Sequence, residues 1–232
     1  MTFIPSYTFY NDFNNCPYKA WRKYIKRDLP YEEKSEAQHK GTRMHVAMEN
    51  AINKEMPLPE EWKSAQYLVD IFGVLPDTVD VRAEYKLAMT MDGPCAYDAQ
   101  AAWFRGKIDL VVMKLGDPGG GAGWLERSGG AWIIDWKTGK VREDKLELEC
   151  QALLLKTNHP DLDPIVGEYY WFANGKPGKR YDPLTPDATF VTLRNWWVQW
   201  KQYEEKKDFP KRPNPLCGWC PVKDCEYNTV GK

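Results

Sequence analysis

The sequence predicts an α/β protein with a central mixed β-sheet flanked by helices. The odd positions over 79–89 are apolar and the even positions 80–86 are polar, which is typical of a strand with one buried face. Apolar stretches over 103–114, 131–139 and 165–175 predict three more strands, and a helical segment separates the last two. Hydrophobic residues make up 43% of the 232 residues and charged residues 28%, so the chain can form a packed core.

Five helical segments are predicted around these strands. The first contains Pro17, which is expected to interrupt it. The fourth begins at Glu143 and Asp144, whose negative charge suits a helix N-terminus. The predicted helices are 6–27, 36–54, 59–72, 143–157 and 186–207.

The net charge and the lack of long apolar runs argue against some classes of protein function. A net charge of −1 argues against a protein that coats nucleic acid, although it is compatible with an enzyme that has a local basic groove. No stretch approaches the roughly 18 apolar residues of a membrane span, and no secretory signal is recognised, so we expect a cytoplasmic protein without membrane partners. A basic cluster is interpreted as a solvated helix face. Its members are Lys19, Arg22, Lys23, Lys26 and Arg27.

The sharpest chemical signal is Asp109, followed by Asp135 and Lys137. Residues i and i+2 of a strand share a face, so Asp135 and Lys137 project together. Asp109 lies on the preceding predicted strand, which the glycine-rich segment 116–130 can place alongside. A surface Asp–Lys pair on a hairpin is the alternative interpretation. Apolar residues flank both aspartates, however, and a carboxylate in such a place needs a reason such as a metal.

This set of side chains suits phosphodiester cleavage. Carboxylates hold Mg²⁺ or Mn²⁺, and the ion generates a nucleophile and neutralises phosphate charge. Lys137 can position or deprotonate the water, or stabilise the pentavalent phosphate. His45 and Glu49 lie four residues apart on one predicted helix face. A lone helical histidine is more often structural, and these two residues alone do not make a zinc motif.

Six cysteines in a cytosolic chain do not indicate a disulfide framework. Cys95 and Cys150 are isolated and are expected to be small buried hydrophobes. Cys217, Cys220 and Cys225 are bunched in a tail, 210–232, that also contains four prolines and is expected to need help to pack.

Five motifs in this order resemble the RecB-like branch of the PD-(D/E)XK nucleases, which includes CRISPR adaptation nucleases and many phage exonucleases. They are SYTFYNDFNNCPYKAW, GTRMHVAME, GKIDLVV, IIDWKTGK and CGWCPVKDC, and they cover nearly the whole chain. The resemblance implies a restriction-endonuclease-like core. It also implies that His45, Asp109, Asp135 and the Trp136 carbonyl bind the catalytic metal, and that Lys137 is the catalytic lysine.

The resemblance also assigns Gln151 and four cysteines. Gln151 falls on the family's catalytic glutamine, although Leu155 stands where the family has a tyrosine four residues later. The tail triplet resembles that of the iron–sulfur members, whose fourth ligand comes from an N-terminal Cys-Pro, here Cys16-Pro17. The family usually spaces the last pair one residue wider. A 4Fe–4S cluster is therefore implied at Cys16, Cys217, Cys220 and Cys225, with zinc as the runner-up and free thiols as the weakest alternative.

The combined hypothesis is a metal-dependent DNA nuclease, most specifically an exonuclease. Residues 1–232 are expected to form a single nuclease domain, with a core of about 36–207 and a cysteine-held cap from 6–27 and 210–232 that joins the two termini. The expected partners are single-stranded DNA or duplex ends, and recombination or replication proteins, in a bacterial or phage-infected cell. An endonuclease with the same site, an inactive DNA-binding or assembly subunit, and a zinc protein that binds partners are the alternatives.

Overall fold

The computed structural model describes residues 3–30, 33, 35–76, 78–114 and 129–228. The chain divides into two compact units. The terminal unit comprises residues 1–33 and 190–232, and the sheet unit comprises residues 34–189. The glycine-rich segment between the second and third predicted strands falls almost entirely on residues 115–128, which lie outside the described residues.

The sheet unit contains a mixed β-sheet, which confirms the predicted fold class. Within the described ranges its strands are β1 (Val79–Met89), β2 (Pro94–Cys95), β3 (Phe104–Lys114), β4 (Ala131–Lys137), β5 (Ile165–Trp171) and β6 (Lys176–Tyr181). Their order across the sheet is β2-β1-β3-β4-β5-β6. β4 and β5 are parallel and the other neighbours are antiparallel.

Two of these strands are absent from the sequence prediction. β2 is only two residues long and pairs with the end of β1. β6 begins directly after the turn at Gly175, whose φ of 58° is left-handed, and it contains Pro177 and Gly178. Proline and glycine weaken the strand signal and are tolerated on an edge strand, which is where β6 lies.

Helices form close to their predicted positions. In the described part of the chain they are α1 (Tyr7–Asn15), α2 (Pro17–Trp21), α3 (Glu36–Ile52), α4 (Gln66–Gly73), α5 (Lys145–Asn158) and α6 (Pro186–Lys206). The predicted helix over 59–72 is a 3₁₀ turn, Glu60–Ala65, followed by α4. None of the described helices is both long and apolar enough to cross a membrane.

The start of α3 and the packing of α5 follow from local sequence. Ser35 and Gln38 form a capping box, in which each side chain accepts from the other residue's backbone N–H. Asp144 caps α5 by accepting from the Leu146 N–H at 3.0 Å, at the predicted helix start. A Cβ on Gly106 of β3 would lie 2.8 Å from Leu154 Cδ1, so a larger residue would force the end of this side chain to shift.

An aromatic core holds the terminal unit together. Trp200 of α6 is buried and makes edge-to-face contacts with Phe9 and Phe13 of α1. The predicted break in the first helix is confirmed, because Cys16 is extended immediately before Pro17. These aromatic contacts lie within the terminal unit. Cys16 lies between the end of α1 and the start of α2.

The basic cluster of the terminal unit is not simply a solvated helix face. Arg22 is 7% exposed and donates from its Nη1 to both Asp224 oxygens at 2.9 Å, and from its Nε to Asp28 at 2.6 Å. Lys19 and Lys23 both form ion pairs with Asp12. The interpretation of Arg22 as solvated is therefore wrong, because carboxylates neutralise a guanidinium that the fold buries.

Candidate active site

His45 reaches the sheet from α3. Met44 and Met48 on the same helix are fully buried in the core of the sheet unit, which fixes the helix face beside them. His45 Nδ1 lies 3.1 Å from Glu84 Oε1 and 3.3 Å from Asp109 Oδ1. The predicted helix therefore brings this histidine to two carboxylates.

Glu84 interrupts the ladder between β1 and β3. The ladder pairs Ala83 with Leu110 and Tyr85 with Ile108, while Glu84 has a left-handed φ of 52°. Such a conformation costs a non-glycine residue on the order of 1–3 kcal/mol and is found at functional sites. The Glu84 side chain is 8% exposed. Glu84 is thus not a solvated strand residue, because it departs from strand geometry and turns its carboxylate to His45.

Asp109 lies where β3 and β4 separate. The antiparallel ladder between these strands ends at the pair Leu110 and Ile134. One residue further, the Trp136 N–H donates to Asp109 Oδ2 at 2.9 Å. A side-chain carboxylate thus replaces the next backbone acceptor, and the two strands open into a fork at this point. The predicted adjacency of the two aspartate-bearing strands is correct.

His45, Glu84 and Asp109 make a three-residue cluster, here termed the α3 group. Their ligand atoms all lie within 4.8 Å of one another, and within the described ranges no other His, Cys, Asp or Glu trio does so. One imidazole nitrogen and two carboxylate oxygens suit Mn²⁺ or Mg²⁺. The donor set therefore fits a divalent cation.

A second cluster, here termed the α5 group, contains Asp135, Lys137, Glu147 and Gln151. Gln151 Nε2 donates to Asp135 Oδ1 at 2.9 Å. Lys137 Nζ lies 2.5 Å from Asp135 Oδ2 and 3.2 Å from Glu147 Oε2. The shared strand face predicted for Asp135 and Lys137 is thus observed as a direct ion pair, and α5 supplies the other two members.

Burial changes the protonation of Asp135. Desolvation raises the pKa of Asp135 to about 7, and the charges of Asp109 and Glu147 add to this effect while Lys137 opposes it. Asp135 Oδ2 has the ion pair with Lys137 but no aligned hydrogen bond, and Gln151 Oε1 has no hydrogen-bond partner. Two buried oxygen atoms with free lone pairs are consistent with a place for a cation or a proton.

Lys137 remains charged in this setting. Burial alone would lower its pKa, but the nearby carboxylates of Asp135 and Glu147 outweigh that effect and raise the pKa above its ordinary value. The ammonium also lies 5.4 Å from the centre of the Tyr169 ring. Tyr169 donates to the Asp144 carbonyl at 2.6 Å, so the ring is fixed against the start of α5. Lys137 is therefore a positioned cation.

The remaining predicted site residues differ in their burial and in their distance from the two clusters. The Trp136 indole is buried in the core, so only its main chain is available to the site, and the role of its carbonyl stays a prediction. Leu155 is fully buried, which fits an apolar residue in place of the family's tyrosine. Glu49 lines the neighbouring cavity with Glu84 but is not part of the α3 group. Asp135 also lies outside that trio.

Two acidic residues of the site were missed or undervalued from sequence. Glu147 lies one helical turn before Gln151, so the i, i+4 spacing was available as a signal. Glu84 had no such signal, because the alternation of β1 continues unbroken through it in the sequence.

The four cysteines of the terminal unit line one cavity of about 250 Å³. All four thiols are free, and three of them lie in the tail while Cys16 comes from the start of α2. No three of the sulfur atoms in the described chain lie within 4.8 Å of one another. Neither Cys95 nor Cys150 lines this cavity. Cys150 is buried as predicted, but the predicted burial of Cys95 is wrong, because it lies on the short edge strand β2 and is half-buried.

The tail is docked by contacts other than sulfur. Arg22 binds Asp224, and Val222 is fully buried. The Asn228 amide donates to the Cys220 carbonyl at 2.8 Å and to the Val222 carbonyl at 3.3 Å. The expectation that the tail packs only with help from a metal centre is therefore too strong, because ion pairs and backbone hydrogen bonds also hold it.

The mixed sheet, the strand fork and the clustered carboxylates with a lysine together define a restriction-endonuclease-like nuclease core. Residues 5–225 match the family model of the PD-(D/E)XK nuclease superfamily. The chain belongs to this superfamily, whose members cleave phosphodiester bonds.

Two further comparisons with known proteins give no information about function. No curated protein sequence matches the chain significantly. Among solved structures, the chain is similar to one described as the crystal structure of SSO0001, with 12% identity, a TM-score of 0.44, and coverage of 98% of this chain and 88% of that one. A likeness this distant carries no argument about function.

Proposed function

We propose that this protein is a DNA nuclease that requires Mg²⁺ or Mn²⁺ and degrades DNA from strand ends. The observation that carries the proposal is the α3 group, in which one nitrogen and two carboxylate oxygens lie within 4.8 Å of one another. Asp135 and Lys137 follow on the adjacent strand, so a cation and a fixed ammonium can act on the same phosphate.

His45, Glu84 and Asp109 would hold the divalent ion, with Asp135 and the Trp136 carbonyl as the further ligands expected from the family resemblance. When bound, the ion lowers the pKa of a water molecule and neutralises charge on the scissile phosphate. Gln151 holds one Asp135 oxygen and leaves the other directed at Lys137.

Lys137 would stabilise the charge that develops on the phosphate oxygens. Its raised pKa makes it a hydrogen-bond donor at neutral pH, so this role fits better than deprotonation of the water. Asp135 and Glu147 fix its position from two sides.

Cleavage assays separate the exonuclease from its alternatives. The protein is incubated with end-labelled single- and double-stranded DNA and with covalently closed single-stranded circles, in Mg²⁺, Mn²⁺ or EDTA. An exonuclease shortens linear DNA, leaves circles intact and is inactive in EDTA. Cut circles would show an endonuclease, and binding without cleavage in either metal would show an inactive DNA-binding or assembly subunit.

We also propose that Cys16, Cys217, Cys220 and Cys225 bind a 4Fe–4S cluster, as in the RecB-like branch. The four residues line one cavity. Four thiolates also suit a tetrahedral zinc, which stays the alternative.

Metal analysis tests the cluster. Protein purified without oxygen should be brown and contain about four irons and four sulfides per chain. Cys217→Ser should lose the colour and iron, whereas the matched variant Cys95→Ser should keep both. A colourless protein with one zinc per chain would replace the cluster with zinc and leave the nuclease assignment unaffected.

The finer biological assignments rest on the family resemblance. We propose one nuclease domain, with a core of about 36–207 and a cap from 6–27 and 210–232. Its substrates would be single-stranded DNA or duplex ends in the cytoplasm of a bacterial or phage-infected cell. Recombination or replication proteins would be its partners. Affinity capture that recovers such proteins only when DNA is intact would argue that DNA alone joins them.

A further inference from the structure

Two basic residues of β3 lie just before Asp109, a member of the α3 group. Arg105 and Lys107 alternate with Gly106 and Ile108, so the two basic side chains share one face just before Asp109. A rise of about 3.4 Å per residue places Arg105 and Lys107 about 7 Å apart along the strand. This separation resembles that of adjacent phosphates in an extended nucleic-acid strand.

β1 adds a third cation to the same face. Lys86 is the direct register partner of Lys107 in the β1–β3 ladder, and Arg105 pairs with Ala88. Like charges directly opposite each other destabilise a sheet. Lys86 is exposed and, among the described residues, no carboxylate forms an ion pair with it. Lys107 pairs with Glu84, and Arg105 lies 3.8 Å from the exposed Asp98. Lys86 has no such partner in the described chain, so its place opposite Lys107 has a reason if it binds an anion.

An aromatic ring lies among these cations. The Tyr97 ring centre is 5.0 Å from the Arg105 guanidinium carbon and 5.9 Å from Lys86 Nζ. An open cavity of about 600 Å³ is lined by Lys86, Lys107 and Glu84, so it joins two of the cations to one member of the α3 group. A basic groove with an aromatic side chain is typical of sites that bind single-stranded nucleic acid.

Lys107 is coupled to the proposed metal site. Its ammonium forms an ion pair with Glu84, although the lysine side chain is 42% exposed. A divalent cation that binds Glu84 would neutralise this carboxylate. Lys107 would then be released to contact a phosphate beside the bound ion.

We propose that Lys86, Arg105, Lys107 and Tyr97 form a track that binds single-stranded DNA and leads it to the α3 group. The proposal rests on the nuclease function proposed above and extends it to the route of the substrate. The three cations contact successive phosphates, and Tyr97 stacks on a base.

The dependence of DNA affinity on salt tests the track. Binding of a labelled single-stranded oligonucleotide is measured by fluorescence anisotropy in Ca²⁺, across a series of salt concentrations. The double variant Lys86→Met/Lys107→Met should lower the slope of log affinity against log salt by about 1.4, since each lost contact to single-stranded DNA removes about 0.7. The exposed Lys63→Met should leave the slope unchanged.

The aromatic residue has a different signature. Tyr97→Leu should weaken binding by roughly tenfold without a change in slope, because base stacking is worth about 1–3 kcal/mol and involves no phosphate. Tyr97→Phe should restore the affinity. Unchanged slopes in the lysine variant, or equal losses on duplex and single-stranded DNA in Tyr97→Leu, would overturn the track.

A metal-binding measurement separates this proposal from the nuclease assignment. Lys107→Met removes the cation paired with Glu84, so its Mn²⁺ affinity in the absence of DNA should equal or exceed that of the unaltered protein. A weaker Mn²⁺ affinity would mean that Lys107 only shapes the metal site, which contradicts the track. If the unaltered protein binds single-stranded DNA with the expected slopes but does not cleave it in Mn²⁺, the track stands and the nuclease function fails.

Discussion

The α3 group and the α5 group both gather acidic side chains at the fork of β3 and β4, yet their surroundings differ. In the α3 group, the histidine is partly exposed and the two carboxylates share it as a neighbour. In the α5 group, Asp135 is 3% exposed and already has a lysine and a glutamine as partners. Two clusters of similar composition therefore offer different chemistry.

The difference follows from where each cluster gets its counter-charge. Glu84 and Asp109 share the His45 imidazole, and Glu84 also pairs with Lys107, whose partly exposed ammonium an external cation can displace. Asp135 has the fixed charge of Lys137, and burial favours its protonated form. Without bound metal, the α3 group is thus open to a cation, whereas the α5 group holds a proton on Asp135 and a positioned ammonium.

The largest expected effect comes from Asp109, because it belongs to one group and raises the pKa of a residue in the other. Asp109→Ala should abolish Mn²⁺ binding and reduce cleavage by on the order of 10³-fold or more. Titration calorimetry with Mn²⁺ and a cleavage assay measure the two effects. The exposed Asp70→Ala is the control. Normal Mn²⁺ affinity in Asp109→Ala would remove the distinction between the two groups.

Lys137 should separate metal binding from chemistry. Lys137→Met should reduce cleavage by about 10²–10³-fold, since one preorganised donor to the transition state is lost. Its Mn²⁺ affinity should be unchanged or higher, because the lysine is not a ligand and its loss removes a cation paired with Asp135. Lys137→Arg keeps the charge and should retain part of the activity. A parallel loss of Mn²⁺ affinity would place the lysine in the metal site.

Asp135 should make the metal-free protein sensitive to pH. Its folded-state pKa is about 7 and its unfolded value is about 3.9, so the folded protein binds the proton more tightly. This contribution to stability is present below about pH 4 and is lost as the pH rises to 7. Asp135→Asn should therefore gain about 2 kcal/mol relative to the unaltered protein between pH 5 and pH 8. Urea unfolding in EDTA at both values measures this, and a pH-independent difference would contradict it.

Variants of Glu84 should show the smallest of these effects. It is a difference in stability between two variants of this residue. Glu84→Gln and Glu84→Gly should both weaken Mn²⁺ binding, because each removes a carboxylate from the α3 group. Glycine tolerates the φ of 52° that strains glutamine, so the metal-free glycine variant should be more stable than the glutamine variant by about 1 kcal/mol. Thermal unfolding in EDTA compares them. Equal stabilities would mean that the left-handed conformation at this position is not strained.

Two strands show which sequence patterns predict secondary structure. The alternation over 79–89 predicted β1 with its observed bounds, since period two is a direct consequence of strand geometry. β6 could not be predicted in the same way, because Pro177 and Gly178 are acceptable only at the edge that this strand occupies. Edge position is a property of the whole sheet.

The sequence by itself determined that Asp109, Asp135 and Lys137 lie on neighbouring strands and that Gln151 and His45 are carried by helices. Only the tertiary structure decided which carboxylates meet which partners. Glu84 joins His45 because one residue of β1 is left-handed, and Asp109 faces both groups because β3 and β4 separate beside it. Neither feature leaves a periodic trace in the sequence, since each depends on contacts between residues that are far apart in the chain.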